Sequence, residues 1–334
     1  MNNLIIRPHG IGDIIMLIPA LRGLIKNNPE EKFTLLVYKG SGQVLPSDLN
    51  INIIEMPRHA GFWETIKLLK EIRHQHFDRL FDLFCNPRTA QLTLLSGIKE
   101  TYGFPCRYRS FVYKHKFTAD RKPGEHTHQV DLYCKFFNTF GLKCEVCPPD
   151  VKISEELITK TREAIPEEYR QTKPLIALNI NATYPAKAWP VEHAIEFVNK
   201  WYEKTKQPVM LTWGPGEEEN SKQVLKEVGK EKAFLHKSVK IREFVALMSQ
   251  IDLLVTNDAG PTHMAWECGT PTITMFGPTT EQDVEPRGEK HITIRAEGIE
   301  CARCHKEHCA TKKCMYAITP EMVMSATENL LSLK

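Results

Sequence analysis

The sequence predicts an α/β protein with two Rossmann-like domains, each a doubly wound parallel sheet, that face a central cleft. Short apolar runs alternate with helical patterns along both halves of the 334-residue chain, as they do in parallel sheets with right-handed crossovers. The chain is long enough to bury two separate cores. Several apolar runs end in glycines and polar residues, and open α/β sheets bind ligands at the carboxyl ends of their strands.

The first half of the chain contains four predicted strands and four predicted helices. Apolar residues at helical spacing, such as Ile66, Leu69 and Ile72, identify the helices. Residues 101–123 have no regular pattern. In chain order the elements are strand 4–6, helix 13–26, strands 33–38 and 51–56, helix 62–76, strand 80–84, and helices 89–96 and 126–140.

The second half repeats this alternation after a connection at 147–174. We therefore predict a first domain at 1–165 and a second domain at 166–318. A closing helix within 319–334 could pack back on the first domain. The predicted strands are 175–179, 209–213, 233–235, 251–255, 272–276 and 291–295, and the helices are 190–204, 217–228, 241–249, 262–268 and 320–333.

The composition excludes several classes of protein. A net charge of +3 is too small for a dedicated nucleic-acid binder, and no apolar run approaches the roughly 18 residues of a membrane span. Met1 leads directly into a strand without a basic segment or cleavage site, which indicates no signal peptide. We therefore expect a cytoplasmic protein whose ten cysteines are reduced or metal-bound.

The charge is concentrated between Pro87 and Pro123. This region is either an ordinary solvated surface or a patch for an anionic substrate or membrane surface. It contains eight basic residues, Arg88, Lys99, Arg107, Arg109, Lys114, Lys116, Arg121 and Lys122, and two acidic ones, Glu100 and Asp120.

The segment 253–280 carries the clearest functional signal. It predicts a strand, a loop, a helix, a second strand and a second loop. Asp258, Gly260 and His263 fall within one turn of the helix start, where free backbone N–H groups favour a phosphate. This pattern is typical of a nucleotide-sugar site.

The loop Arg7-Pro8-His9-Gly10-Ile11-Gly12-Asp13 joins the first strand to the first helix. Gly10 and Gly12 suggest a dinucleotide fingerprint, but the third glycine is replaced by Ile15, and Asp13 would repel a pyrophosphate. An aspartate at a helix start suits a general base for a hydroxyl nucleophile. The commoner role of such a residue is to cap the helix, and the loop alone favours that role.

Together, these motifs resemble the family 9 glycosyltransferases, the ADP-heptose:lipopolysaccharide heptosyltransferases. The resemblance implies the GT-B fold, inversion at the anomeric carbon, and chemistry without a metal. The motifs that carry it are 7–13, Lys187-Ala188-Trp189-Pro190, Thr256-Asn257-Asp258-Ala259-Gly260-Pro261-Thr262-His263, Gly277-Pro278-Thr279, and Cys314-Met315 followed by Ile318-Thr319-Pro320.

The resemblance also implies that the first domain binds the acceptor and the second binds the nucleotide sugar, and it implies roles for individual residues. Asp13 would be the base that deprotonates the acceptor hydroxyl, and Lys187 would contact the donor phosphates. Thr183 would bind the diphosphate, and Asp258 the heptose hydroxyls. The phosphate-facing helix start would be formed by Ala259, Gly260 and His263, while Glu217, or equally Glu218, would bind the adenosine ribose.

The resemblance implies ADP-heptose as the donor and a lipopolysaccharide core on lipid A as the acceptor. Arg107 and Arg109 would then bind this anionic acceptor, and the basic region would face the inner surface of the inner membrane. Two alternatives stay open. One is a same-fold transferase with another nucleotide-sugar donor, and the other is a non-catalytic nucleotide- or metal-binding protein.

Four cysteines near the C-terminus, Cys301, Cys304, Cys309 and Cys314, have the spacing of a compact zinc knuckle. His305 and His308 are further donors, and an iron–sulfur cluster is an alternative. The cysteines could equally be inherited by the family without a metal. A structural zinc at these cysteines is therefore a hypothesis. It is independent of catalysis, which the resemblance implies needs no cofactor.

Overall fold

The computed structural model describes residues 1–59, 61–119, 126–149, 151–236 and 240–332. The chain forms two compact units, Met1–Pro148 and Pro149–Lys334, which are described separately. Each contains a six-stranded parallel sheet with helices around it, which confirms the predicted fold class for each unit.

The first sheet has the strand order β3-β2-β1-β4-β5-β6. This is the Rossmann order, and it reverses between β1 and β4. Apolar side chains of α2 and α3 pack against β1 and β2 in one core, as Leu68, Leu92 and Leu4 do. The elements are β1 Asn2–Ile6, α1 Ile11–Asn27, β2 Lys32–Tyr38, β3 Asn52–Met56, α2 Phe62–His74, β4 Arg79–Asp82, α3 Pro87–Ser96, β5 Glu100–Gly103, β6 His115–Lys116 and α4 Gln129–Thr139.

The second sheet has the order β12-β11-β10-β7-β8-β9, the same topology, with its reversal between β7 and β10. Its core includes Trp189, Phe197 and Trp201. The elements are α5 Glu155–Glu163, β7 Ile176–Asn179, α6 Val191–Thr205, β8 Val209–Leu211, α7 Glu218–Val228, β9 Ala233–Leu235, α8 Ile241–Met248, β10 Leu253–Asn257, α9 Gly260–Glu267, β11 Thr272–Met275, β12 His291–Ile294, α10 Lys313–Tyr316 and α11 Pro320–Ser332.

Two segments contain elements that the sequence pattern did not predict. The irregular region 101–123 contributes β5 and β6 to the edge of the first sheet. The predicted connection at 147–174 contains α5, where the Ser154 side chain caps the helix start by accepting from the Leu157 N–H. Because α5 packs on α8, the division between the units lies at residue 148, earlier than the predicted boundary at 165.

The closing helix α11 belongs to the second unit. Val323, Met324 and Leu330 join the second core, and α11 packs on α6, which is where its apolar side chains are buried. The expectation that this helix could also pack back on the first domain stays a prediction. The last residue of the predicted helix, Leu333, lies outside the described residues. No helix in the described ranges has the length and hydrophobicity needed to cross a membrane.

Candidate functional site

The central sequence-predicted residues, Asp13, Lys187 and Asp258, fall at the reversal point of each sheet. In the first unit, the loop that follows β1 and the loop that follows β4 meet at this point. In the second unit, the loops after β7 and β10 meet there. Crevices at the carboxyl ends of strands beside such a reversal are the usual ligand sites of open α/β sheets. Each unit therefore presents one candidate site.

Asp13 is held by two side chains from its own loop. Arg7 Nη2 donates to Asp13 Oδ1 at 2.8 Å, and Nδ1 of His9 contacts Asp13 Oδ2. Gly10 is the N-cap of α1 and Asp13 lies in the first turn, so the capping position is not occupied by the aspartate. A Cβ atom on Gly10 would lie 3.3 Å from Asp13 Oδ2, and the glycine thus leaves room for the carboxylate.

Arg7 is buried and fixed from several sides. Its Nη1 donates to the carbonyl oxygen of Leu83 at 2.8 Å, which joins the β1 loop to the β4 loop. Its guanidinium lies 5.6 Å from the ring centroids of both Phe84 and Tyr133. The His9 ring packs edge-on against Phe84, with centroids 4.7 Å apart. The Arg7–His9–Asp13 group is therefore a preorganised carboxylate and not a mobile surface charge.

The β4 loop is itself positioned by Asp82, which is fully buried. Its carboxylate accepts hydrogen bonds from the backbone N–H groups of Phe84 at 2.9 Å and Cys85 at 2.8 Å, and from the Tyr113 hydroxyl at 2.7 Å. Burial raises the pKa of Asp82 above its usual value, although these hydrogen bonds oppose the shift. The three bonds fix the backbone that carries Leu83 and Phe84.

Lys187 and Asp258 form the centre of the second site. Lys187 ends a 3-10 turn, Pro185–Lys187, that follows β7, and Asp258 directly follows β10. Lys187 Nζ lies 2.6 Å from Asp258 Oδ2, and Thr279, from the loop after β11, donates to the same oxygen at 2.7 Å. Both charged side chains are largely buried, with 17% of Lys187 and 8% of Asp258 exposed. The structure thus joins three loops that are far apart in sequence.

The start of α9 lies directly beside Asp258. Ala259 occupies the N-cap position with no side-chain cap, and α9 begins at Gly260 with Pro261 in its first turn. Thr262 donates from its hydroxyl to the Asn257 carbonyl at 2.8 Å, which ties this turn to β10. His263 is buried in the helix. A helix start without a side-chain cap suits an anion, and binding of a phosphate at this position stays a prediction.

The remaining predicted donor residues lie in neighbouring loops. Thr183 is exposed in the loop after β7. Glu217 is the N-cap residue of α7. A Cβ atom on Gly214 would lie 2.8 Å from Glu217 Oε2, so this carboxylate folds back over the β8 loop. Partial burial raises the pKa of Glu217. None of these observations assigns either residue to a ligand.

The residues 300–316, here termed the cysteine segment, support both loops that meet at Lys187 and Asp258. The backbone N–H groups of Arg303 and His305 donate to the carbonyls of Gly277 at 3.2 Å and Pro278 at 2.7 Å. On the other side, the Ala186 N–H donates to the Glu307 carbonyl at 3.0 Å. One segment therefore braces the Lys187 turn and the Thr279 loop together.

The four cysteines of this segment differ in exposure. Cys301 and Cys304 are exposed, Cys309 is half-buried and Cys314 is buried. The pKa of Cys309 is lowered because its sulfur accepts a hydrogen bond from the Lys312 backbone N–H. Among the residues that the structure describes, no group of three or more His, Cys, Asp or Glu side chains is arranged to hold a metal ion. The zinc hypothesis stays a prediction.

The basic region does not form one patch. Lys99 precedes β5 and the Lys114 ammonium pairs with Glu100, so both lie toward the amino end of that strand. Arg88, Arg107 and Arg109 lie on the carboxyl side, after β4 and β5. Arg107 is exposed and lies over the Tyr108 ring at 5.2 Å, while Arg109 is half-buried. Arg121 and Lys122, with Asp120, lie outside the described residues.

Sequence reasoning missed three residues that the geometry selects. Arg7 and His9 belong to the predicted loop motif but have no predicted role, although His9 lies only four positions before Asp13. Thr279 belongs to the Gly277-Pro278-Thr279 motif that carries the family resemblance, but it has no predicted role of its own. Its position after β11, at the carboxyl edge beside β10, was the available signal.

Comparison with known proteins agrees with this description. Residues 65–315 match the model of glycosyltransferase family 9 (heptosyltransferase). The chain is 23% identical to lipooligosaccharide heptosyltransferase 2 of Campylobacter jejuni, over 97% of this chain and 96% of that protein.

Two solved structures show the same fold over the whole chain. A family 9 glycosyl transferase from Veillonella parvula superimposes with a TM-score of 0.83 at 23% identity, covering 100% of this chain and 97% of the other. ADP-heptose lipopolysaccharide heptosyltransferase II of Escherichia coli gives a TM-score of 0.82 at 21% identity, with coverage of 100% and 99%.

Proposed function

We propose a specific reaction for this chain, which belongs to glycosyltransferase family 9 (heptosyltransferase) and is therefore a glycosyltransferase. In this reaction it moves heptose from ADP-heptose to a lipopolysaccharide inner-core acceptor with inversion. The observation that supports this most directly is the Arg7–His9–Asp13 group. It combines a carboxylate that can take a proton with a buried guanidinium that fixes its orientation.

In the proposed reaction, Asp13 is the general base. It takes the proton from an acceptor hydroxyl while that oxygen forms a bond to C1 of the donor sugar. The bond between C1 and the phosphate oxygen breaks, and ADP leaves with the bonding electrons. Arg7 and His9 each contact one oxygen of this carboxylate and fix its orientation. Fixed orientation of such a base contributes to the rate through proximity.

The second site would bind the donor. Lys187 and the N-terminus of α9, with Ala259, Gly260 and His263, would neutralise the diphosphate as it departs, which is electrostatic stabilisation of the leaving group. Asp258 would accept hydrogen bonds from the heptose hydroxyls once Lys187 has moved its ammonium to the phosphates. Thr183 would bind the diphosphate, and Glu217 the ribose. This chemistry needs no cofactor, because cationic and N–H groups of the chain replace a metal.

The acceptor would be an anionic, lipid-anchored saccharide. Arg107 and Arg109 would bind its anionic groups, and the enzyme would work at the inner face of the inner membrane. Arginine suits this role because its planar guanidinium binds phosphate and carboxylate through two hydrogen bonds.

The experiment that tests the proposal measures ADP release with ADP-heptose and a panel of truncated core acceptors. ADP should appear only when donor and acceptor are both present. UDP-sugars and other ADP-sugars in place of ADP-heptose test for a different donor. Binding of nucleotide without ADP release on any acceptor would instead identify a non-catalytic binding protein.

A further inference from the structure

Four large aromatic side chains are exposed among the described residues of the first unit. Phe62 and Trp63 are 72% and 78% exposed, and Tyr108 and Phe111 are 73% and 74% exposed. Exposure of whole rings is unfavourable in water, because each ring could bury 150–250 Å² (roughly) elsewhere. Isolated exposed apolar residues are ordinary, but a group of four large rings indicates an interaction surface.

These rings share the carboxyl edge of the first sheet. Phe62 and Trp63 begin α2, in the connection from β3, and their rings form an edge-on pair with centroids 5.4 Å apart. Tyr108 and Phe111 lie in the connection that follows β5. All connections after parallel strands emerge at the same edge, so the rings share the edge that also carries Asp13.

Direct contacts join the two pairs of rings into one rim. Arg88, at the start of α3, donates from Nη1 to the Arg58 carbonyl at 2.6 Å, which ties the segment before α2 to α3. Helix α3 packs against both α2 and the 3-10 turn Ser110–Val112. The aromatic rim, defined as Arg58, Phe62, Trp63, Arg88 and 107–111, is therefore continuous.

The charge of the rim is positive. Arg58, Arg88, Arg107 and Arg109 all belong to it, and Arg58 and Arg107 each lie 5.2 Å from a tyrosine ring. The nearest acid in its sequence, Glu64, is engaged in capping α2 by accepting from the Gly61 N–H at 2.7 Å. Aromatic rings among arginines match the boundary between anionic headgroups and acyl chains.

We propose that the aromatic rim docks on an anionic lipid bilayer, with Phe62 and Trp63 inserted at the headgroup boundary. The inference rests on the proposed function, in which the acceptor is anchored in a membrane. The rings occupy a helix start and a loop and are largely exposed, which suits insertion into a fluid surface. A saccharide or a folded protein would more usually be bound by rings that line a pocket.

The direct test measures binding of the protein to acceptor-free vesicles, by sedimentation and by tryptophan fluorescence. Vesicles that contain phosphatidylglycerol should bind the protein and shift its emission to the blue, because Trp63 is far more exposed than Trp189, Trp201 or Trp266. Pure phosphatidylcholine vesicles should bind it weakly, and added salt should weaken binding to the anionic ones. No binding to anionic vesicles would overturn the proposal.

A pair of double variants assigns the contact to the rim. Phe62→Ser/Trp63→Ser should weaken vesicle binding by about tenfold or more, from lost burial of two rings. Leu94→Ser/Leu95→Ser is the matched control, because these two residues are also exposed but lie in the last turn of α3, toward the opposite edge. An equal loss in the control would contradict the proposal.

Activity assays separate the other possible occupants. The Phe62/Trp63 variant should lose transfer to a vesicle-embedded acceptor but keep the wild-type kcat/KM on a de-acylated, water-soluble acceptor. Equal loss on the soluble acceptor would mean that the rings stack on the saccharide instead, and would refute lipid docking. Vesicle binding without any heptosyl transfer would refute the proposed function and leave the docking surface intact.

Discussion

Replacing Asp13 by Asn tests the proposed base most directly. The side chain keeps its shape and can still accept from Arg7, but it cannot take a proton from a sugar hydroxyl. We expect kcat to fall by about 10² to 10⁴-fold, the usual contribution of a positioned base. Binding of ADP should be unchanged, because the predicted nucleotide contacts are in the second unit. The assay is ADP release under saturating donor and acceptor, with calorimetric titration of ADP as the binding measurement.

The same substitution also affects stability, and this effect needs its own control. Arg7 has 10% of its side chain exposed and donates to Asp13, which is 32% exposed. Loss of the negative charge that strengthens this hydrogen bond should cost about 1–3 kcal/mol. Asp48→Asn is the matched control, because Asp48 pairs with Arg22 at 2.9 Å with similar exposures of 29% and 15%.

The control should lower stability by a comparable amount in urea unfolding while leaving kcat at the wild-type level. If Asp13→Asn retained most of its turnover, Asp13 would not be the base. If Asp48→Asn lost turnover to the same extent, the loss in Asp13→Asn would reflect instability and the reasoning from geometry would fail.

Three further predictions concern the second unit. Lys187→Ala should lower kcat by about 10² to 10³-fold, because one electrostatic partner of the leaving group is lost. The control Lys200→Ala removes a lysine that pairs with Glu196 and Glu321 at the surface and should keep the wild-type kcat. Equal kcat values for the two variants would show that Lys187 does not stabilise the leaving group. Burial alone would raise the pKa of Glu281, but Arg303 and Arg295 lower it to about 2. The ion pairs of Glu281 with these two arginines therefore stabilise the fold above pH 4.5, and this stabilisation is lost as the pH falls toward 2. Glu281→Gln should therefore be less stable than wild type by about 1–3 kcal/mol at pH 7, with a gap that narrows below pH 4.5 in urea titrations; a gap independent of pH would contradict the ion pair. Elemental analysis should find about one zinc per chain if Cys301, Cys304, Cys309 and Cys314 form a knuckle, and its removal should lower thermal stability while transfer by the remaining folded enzyme continues; a metal-free preparation of full stability would dismiss the site.

The sequence predicted the two parallel sheets because their central strands are continuous apolar runs between helices of clear periodicity. It missed β5 and β6 because Glu100–Gly103 and His115–Lys116 are short and mostly polar, so neither contains the apolar run that identifies a central strand. It missed α5 because Glu155–Glu163 has few apolar residues, and its place is set by packing on α8, which no local pattern encodes.

The candidate sites divide along similar lines. Residues close in sequence, such as Arg7, His9 and Asp13, were visible as one motif, but the guanidinium that fixes the aspartate is itself fixed by Leu83, a long-range contact. The ion pair between Lys187 and Asp258 spans 71 positions in the sequence, and only the reversal of strand order between β7 and β10 brings them together. The sequence motifs could suggest Lys187 and Asp258 individually, but they could not show that these two residues form an ion pair.

The ion pair between Lys187 and Asp258 has a consequence for how the enzyme would release its product. A bound nucleotide sugar would draw the Lys187 ammonium toward its phosphates, and its sugar hydroxyls would donate hydrogen bonds to the Asp258 carboxylate in place of that ammonium. ADP has no heptose hydroxyls, so ADP that drew the Lys187 ammonium away would leave the buried Asp258 carboxylate without a partner. A buried charge without a partner is unfavourable. Asp258 would therefore compete with the phosphates of ADP for Lys187 and favour release of the product. We expect ADP to bind less tightly than the intact donor.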